Sequence, residues 1–363
     1  MSHPLPIPKP GILDISPYTP GKSRADGAAR VLKLSSNENP FGPGPKALAA
    51  YAAHASKLHR YPDGGTTKLC DALARMHGLD ARQIVCGTGS DELIGLLVHA
   101  YAGVSDEVLI SEHGFLMYKI YTQGNGATLV TAPEKNLTAD VNTLLAAVTA
   151  KTRILFLANP NNPTGSYLSV TEIRRLRNEL RSDIILVVDA AYAEYVDRPD
   201  YTAGQELAVE TPNTVMLRTF SKIYGLPSLR LGWGCFPPAI AEVIHRVRGP
   251  FNVSGAAQET GLAALEDTHY TEQMKRHNST QLKWLAEQLS ALSLTVYPSV
   301  ANFLLVGFPQ EGKTSSEANK FLLSRGIIVR EVASYGLPHC LRITIGTEEE
   351  NRAVAETLRE FMA

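Results

Sequence analysis

Two residues stand where a reactive site is easily built. Lys222 lies just after the apolar run Thr214-Val215-Met216-Leu217, within Arg218-Thr219-Phe220-Ser221-Lys222-Ile223-Tyr224-Gly225-Leu226. Asp189 ends the run Ile184-Ile185-Leu186-Val187-Val188. A lone lysine is ordinarily a solvated surface group. A lysine after one buried strand and an aspartate after another suit pyridoxal phosphate. The amine forms a Schiff base with the aldehyde, and the carboxylate keeps the pyridine nitrogen protonated so that the ring accepts electrons.

Neighbouring segments offer the remaining parts of such a site. Gly87-Thr88-Gly89-Ser90-Asp91-Glu92 follows a strand-like run and opens a helical one. Its free N–H groups suit a phosphate, and Ser90 and Asp91 suit plain helix capping equally well. With neither a full GxGxxG nor a Walker lysine, nucleotide binding is poorly supported. Asn159-Pro160-Asn161-Asn162-Pro163-Thr164-Gly165 has the composition of a rigid turn and presents the Asn162 amide. Tyr192 follows Asp189 closely enough to set a hydroxyl beside Asn162. Ser221 and Arg230 flank the lysine and match a phosphate.

Other chemistries find no support. The sequence has no HExxH and no GxSxG elbow. Its four cysteines form no CxxC pair, so no metal is expected and a reducing compartment fits. His113 and His339 read as structural. The 363 residues carry 35 basic and 36 acidic side chains, a formal charge of -1, which disfavours a nucleic-acid or membrane-surface partner. No signal core or bilayer-length apolar run is seen, so a cytoplasmic protein is expected. Prolines at positions 4, 6, 8 and 10 favour an extended arm that either dangles or lies across a partner subunit.

The elements that must position these groups alternate. Strands are expected at Gln83–Cys86, Glu107–Ile110, Ala127–Val130, Arg153–Leu157, up to Asp189, and Thr214–Leu217. Helices are expected between them, from Ser90 to Ala102 and after a capping box at Ser169-Val170-Thr171-Glu172. This reads as an α/β fold with a mainly parallel sheet flanked by helices. Later come helices over Ala256–Leu265 and Tyr270–Leu292, and strands at Leu294–Tyr297, Asn302–Val306, Ile327–Arg330 and Leu341–Ile345. A helix capped at Thr347 ends the chain, and the whole reads as a smaller α+β unit. The expected division is an arm at 1–30, a cofactor-binding domain at 31–248 and a small domain at 249–363, hinged near Gly249-Pro250-Phe251-Asn252.

In this combination the segments resemble fold-type I pyridoxal phosphate aminotransferases, and within them the histidinol-phosphate aminotransferase family. The broad signature is Asn162-Pro163-Thr164-Gly165, Asp189 with Tyr192, and Ser221-Lys222 followed by Arg230. The narrower one includes Tyr18-Thr19-Pro20-Gly21-Lys22, Ser36-Asn37-Glu38-Asn39-Pro40, Arg60-Tyr61-Pro62-Asp63-Gly64 and Leu341-Arg342-Ile343-Thr344.

The resemblance implies that Lys222 holds pyridoxal 5'-phosphate and shuttles the proton. Asp189 would pair with the ring nitrogen, and Asn162 and Tyr192 with the phenolic oxygen. Ser90, Asp91, Ser221 and Arg230 would bind the phosphate, and Tyr118 would stack on the ring. Tyr61 would reach the neighbouring subunit's cofactor in a homodimer. Tyr18, Asn37, Arg330 and Arg342 would bind the substrate. The implied reaction converts histidinol phosphate and 2-oxoglutarate to imidazole acetol phosphate and glutamate, in histidine biosynthesis. An aromatic amino-acid aminotransferase and a threonine-phosphate decarboxylase stay open as alternatives. Ala190 and His113 stand where the family commonly has Glu and Pro.

Overall fold

The computed structural model describes residues 6–19, 21–22, 30–309 and 311–363. Of the expected arm, residues 1–5, 20 and 23–29 lie outside the described residues. Seven strands make the main sheet: β1 (Ile84–Gly87), β2 (Glu107–Ser111), β3 (Thr128–Ala132), β4 (Thr152–Ala158), β5 (Ile185–Asp189), β6 (Thr214–Thr219) and β7 (Gly232–Cys235). Their order is β1-β7-β6-β5-β4-β2-β3. The β3-β2-β4-β5-β6 run is parallel, and β7 is antiparallel to both of its neighbours.

The continuous apolar character of the central strands has a direct cause. Alternate side chains point to opposite faces of a strand, and here both faces are covered. Ile154, Phe156, Ile185 and Val187 pack into one core beneath the helix Ser90–Tyr101. Leu155, Leu157, Leu186 and Val188 pack into another with Ile173 and Leu176 of the helix Val170–Glu179. A fully covered parallel sheet is the arrangement in which such strands are stable.

One central strand was not expected. β7 reads Gly-Trp-Gly-Cys, and glycine is a poor strand former. Its glycines are there for space. A Cβ on Gly232 would lie 2.1 Å from the Ser90 backbone nitrogen, and one on Gly234 would lie 2.6 Å from the Phe236 ring.

A second sheet, all antiparallel, contains β8 (Thr295–Val296), β9 (Phe303–Gly307), β10 (Arg330–Glu331) and β11 (Cys340–Thr344), in the order β10-β11-β9-β8. The helix Glu348–Met362 covers it and opens with a full capping box at Thr347 and Glu350. At Ser169 the serine accepts from the Glu172 N–H, while the Glu172 carboxylate pairs with Arg175.

The expected strand Ile327–Arg330 is two pieces: Ile327–Ile328 pairs with Leu32–Lys33, and Arg330 joins β11. Packing also crosses the expected boundaries. Leu32 and Leu34 enter the core of the second sheet. The helix Gly255–Leu265 packs on Pro45–His54 and Thr67–His77, beside the main sheet. No helix among the described residues is long and apolar enough to cross a membrane.

Candidate active site

Parallel strands place their carboxyl ends along one edge, where α/β sheets bind ligands. In register, Ala158 lies opposite Asp189, and Asp189 opposite Leu217. The exits of β4, β5 and β6 therefore bring Asn162, Asp189 with Tyr192, and Ser221 with Lys222 around one cavity of about 470 Å³. Ser90, Asp91 and Arg230 line it beside β1, and Arg330 and Arg342 line it from the second sheet. Tyr18 and Asn37 complete the lining from the start of the chain.

The Lys222 amine is half-buried and reaches the Ser36 carbonyl at 3.4 Å. Burial, then the charge of Arg342, lower its pKa to about 8. Asp189 is buried, and burial raises its pKa to about 6. Its Oδ2 accepts from the Tyr118 hydroxyl at 2.7 Å, while its Oδ1 has no partner among the described residues. Tyr192 accepts from the Asn37 side-chain amide at 2.9 Å, and burial raises its pKa to about 12.

The opposite end of the cavity is built for an anion. The helix Ser90–Tyr101 starts without a side-chain cap, at Gly89 with φ 84°, so its first N–H groups and the positive end of its dipole face the cavity mouth. A Cβ at Gly89 would meet the Arg230 guanidinium at 2.6 Å. Arg230 donates to the Ser221 hydroxyl at 3.4 Å and has φ 51°. For a non-glycine residue that backbone conformation costs about 1–2 kcal/mol.

Arg342 is buried, and its guanidinium donates to the Asn162 side-chain oxygen and, at 2.8 Å, to the Ser35 carbonyl. Burial lowers its pKa. Arg330 is half-buried, donates to the Thr19 carbonyl at 2.8 Å and lies 5.9 Å from the Tyr18 ring centre.

Two expected site residues lie elsewhere. Tyr61 is 84% exposed and stacks on Phe251 at 4.8 Å, away from this cavity. Tyr118 does not present its ring to the cavity, which corrects its expected stacking role. The ring is fully buried and stacked on Phe156 at 4.6 Å. Phe115, still in extended backbone just ahead of the helix Leu116–Gly124, is the aromatic side chain that lines the cavity on this segment. Its signal was its place in Gly114-Phe115-Leu116, nearer the strand end than Tyr118. Ser36 and Met117 also line the cavity and carried no distinctive spacing in the sequence.

A buried carboxylate with one free oxygen, a lysine of lowered basicity and an uncapped helix end fit a group with a ring nitrogen, an aldehyde and a phosphate. Fold and site thus define a pyridoxal phosphate enzyme. Residues 29–358 match the family model "Aminotransferase class I and II". The chain is 58% identical to the histidinol-phosphate aminotransferase of Paramagnetospirillum magneticum, over 98% of this chain and 99% of that one. It is 54% identical to that of Rhodospirillum rubrum, over 99% and 98%. The crystal structure of the Sinorhizobium meliloti histidinol-phosphate aminotransferase, in complex with pyridoxal-5'-phosphate, superposes with a TM-score of 0.91 at 28% identity, covering 98% of this chain and 97% of that chain. The chain belongs to the aminotransferase class I and II family, among the histidinol-phosphate aminotransferases.

Proposed function

We propose that the protein moves the amino group of histidinol phosphate to 2-oxoglutarate, yielding imidazole acetol phosphate and glutamate. The observation that carries this reading is Arg342. It is a buried guanidinium whose hydrogen-bond partners among the described residues are the neutral Asn162 side chain and the Ser35 carbonyl, and it lines the cavity that holds Lys222. The two amino-group carriers present different anions, a phosphate and a carboxylate, and the planar fork of arginine binds either. The names of the relatives support the same substrate.

When bound, pyridoxal phosphate supplies an aldehyde that condenses with amines and a ring that takes up the electron pair left when a Cα proton departs. Asp189 holds the ring nitrogen's proton through its free oxygen. Ser90, Asp91, Ser221 and Arg230 bind the phosphate, while Asn162 and Tyr192 orient the phenolic oxygen. With a pKa of about 8, Lys222 is neutral in about a tenth of molecules at pH 7. It serves as the base that takes the proton from the donor's Cα and would pass it to the carbon of the cofactor's aldehyde group. Arg342, assisted by Arg330, binds the substrate anion, and Tyr18 and Asn37 close the pocket from the chain start. We further read the exposed Tyr61 as reaching the cofactor of a second copy in a homodimer, and the protein as cytoplasmic.

The test is a comparison of kcat/KM for histidinol phosphate, phenylalanine and tyrosine, each with 2-oxoglutarate. Histidinol phosphate should be preferred by at least about tenfold, the worth of one charge-assisted contact. Preference for an aromatic amino acid overturns the substrate. Borohydride reduction should trap the cofactor on Lys222, and Lys222→Ala should abolish both the adduct and turnover. Full activity in that variant overturns the reaction.

A further inference from the structure

We propose that Tyr118 is a positioning residue for Asp189: its hydroxyl holds one carboxylate oxygen and leaves the other free for the cofactor's ring nitrogen. This rests on the cofactor reading above and adds to it a residue that does not touch the cavity.

The geometry is specific. Tyr118 Oη lies 2.7 Å from Asp189 Oδ2, and both residues are buried. The phenol ring cannot swing aside. Phe156 stacks on it with an 8° interplanar angle, and Phe115 meets it edge-on at 5.7 Å. Within its own helix, the Thr122 hydroxyl donates to the Tyr118 carbonyl at 2.6 Å. Burial and the adjacent carboxylate push the phenol's pKa well above its usual value, so at ordinary pH it is always a donor. A carboxylate held by one fixed donor has one defined rotamer and one defined free oxygen. That oxygen, Oδ1, is the atom without a partner.

The same bond bears on acidity. Several groups face the Asp189 carboxyl: Asp91 from the helix Ser90–Tyr101, Tyr118 from the helix Leu116–Gly124, and Tyr192, Tyr201 and Lys222 from the segments after β5 and β6. Burial raises its pKa, and the Tyr118 bond is the largest influence opposing that rise. A donor to the ionised form stabilises it. Phenylalanine would fill the same space and provide neither the aim nor the donor.

The experiment titrates cofactor binding to the apoprotein. The affinity for pyridoxal phosphate is measured by visible absorbance from pH 4.5 to 9, for the wild type, for Tyr118→Phe and for the chain with 3-fluorotyrosine at position 118. The acid limb of binding should move up by about one pH unit in Tyr118→Phe, and down with the fluorinated, stronger donor. In the Phe variant kcat should fall about 10- to 100-fold with KM within about twofold. A purely packing role would leave the limb unmoved in both proteins, and that result overturns the proposal. The fluorinated chain is close to isosteric, so it decides the matter even if Tyr118→Phe fails to fold. Wild-type protein that binds no cofactor would instead overturn the cofactor reading.

Discussion

Arg342 on β11 and Asn162 in the turn after β4 are joined across the two sheets, the guanidinium Nη1 donating to the amide Oδ1. The same guanidinium reaches the Ser35 carbonyl at 2.8 Å and lies 5.4 Å from the Phe303 ring centre. Three distant parts of the chain therefore meet on one cation, and its Nε is left without a partner. A buried charge is costly until an anion pairs with it. On the proposed reading, a substrate phosphate or carboxylate seated there would relieve that cost and would link substrate binding to the junction of the sheets.

Arg342→Lys keeps the charge and loses the fork. We expect kcat/KM to fall by about 100-fold for both amino-group carriers, the worth of a bidentate charge-assisted contact. Steady-state kinetics in both directions check this. A loss confined to one substrate would mean that the other is anchored elsewhere.

Asp189 should make the apoprotein less stable as pH rises. Its folded-state pKa of about 6 lies above the ordinary 3.8, so between these values the folded chain binds the proton more tightly than the unfolded one. The contribution is fully present below about pH 4 and is lost as pH climbs through 6, at most about 3 kcal/mol. Urea unfolding of the apoprotein at pH 4.5 and 7 measures it. Asp189→Asn should flatten the difference, hold or raise stability at pH 7, and abolish turnover.

Gly232→Ala should disturb the proposed phosphate cradle without touching the cofactor. The added Cβ falls 2.1 Å from the Ser90 nitrogen, so the start of the helix must shift. Overpacking of this kind costs about 1–3 kcal/mol. Thermal melts of the apoprotein and cofactor titration should show lower stability together with about tenfold weaker binding. Unchanged binding would place the phosphate elsewhere.

If Tyr61 serves a second copy's cofactor, mixed subunits will reveal it. Tyr61→Phe and Lys222→Ala chains, unfolded and refolded together, should form hybrids. The intact-lysine site would then pair with the Lys222→Ala chain's native Tyr61. Cofactor affinity at that site should return to the wild-type value, whereas Tyr61→Phe alone stays weaker. Sedimentation of the wild type should give a dimer.

The legible part of the site is the part carried by strands. Lys222 and Asp189 could be read because each lies at or just beyond the end of an apolar run long enough to be buried on both faces. Gly89-Ser90-Asp91 suited plain capping as well as an anion, and only the structure shows that the helix starts without a side-chain cap and with Ser90 and Asp91 at the cavity. β7 was hidden because strand propensity reports side-chain packing, and Gly232 and Gly234 are chosen for close backbone approach. Tyr118 and Phe115 could not be told apart by composition. Three residues separate them, and the direction each ring takes depends on where the helix Leu116–Gly124 begins.

The order of apolar runs, turns and reactive side chains is local information, and the sequence alone determined it: an α/β fold, a lysine and an acid at strand exits, and a helix start able to hold a phosphate. Tertiary structure decided what depends on distance between remote segments. It set Arg342 against Asn162, left one oxygen of Asp189 free while Tyr118 took the other, and paired Leu32–Lys33 with Ile327–Ile328. Each of these contacts is fixed by sheet register and by which face of an element is buried, and neither is written in the spacing of a single segment.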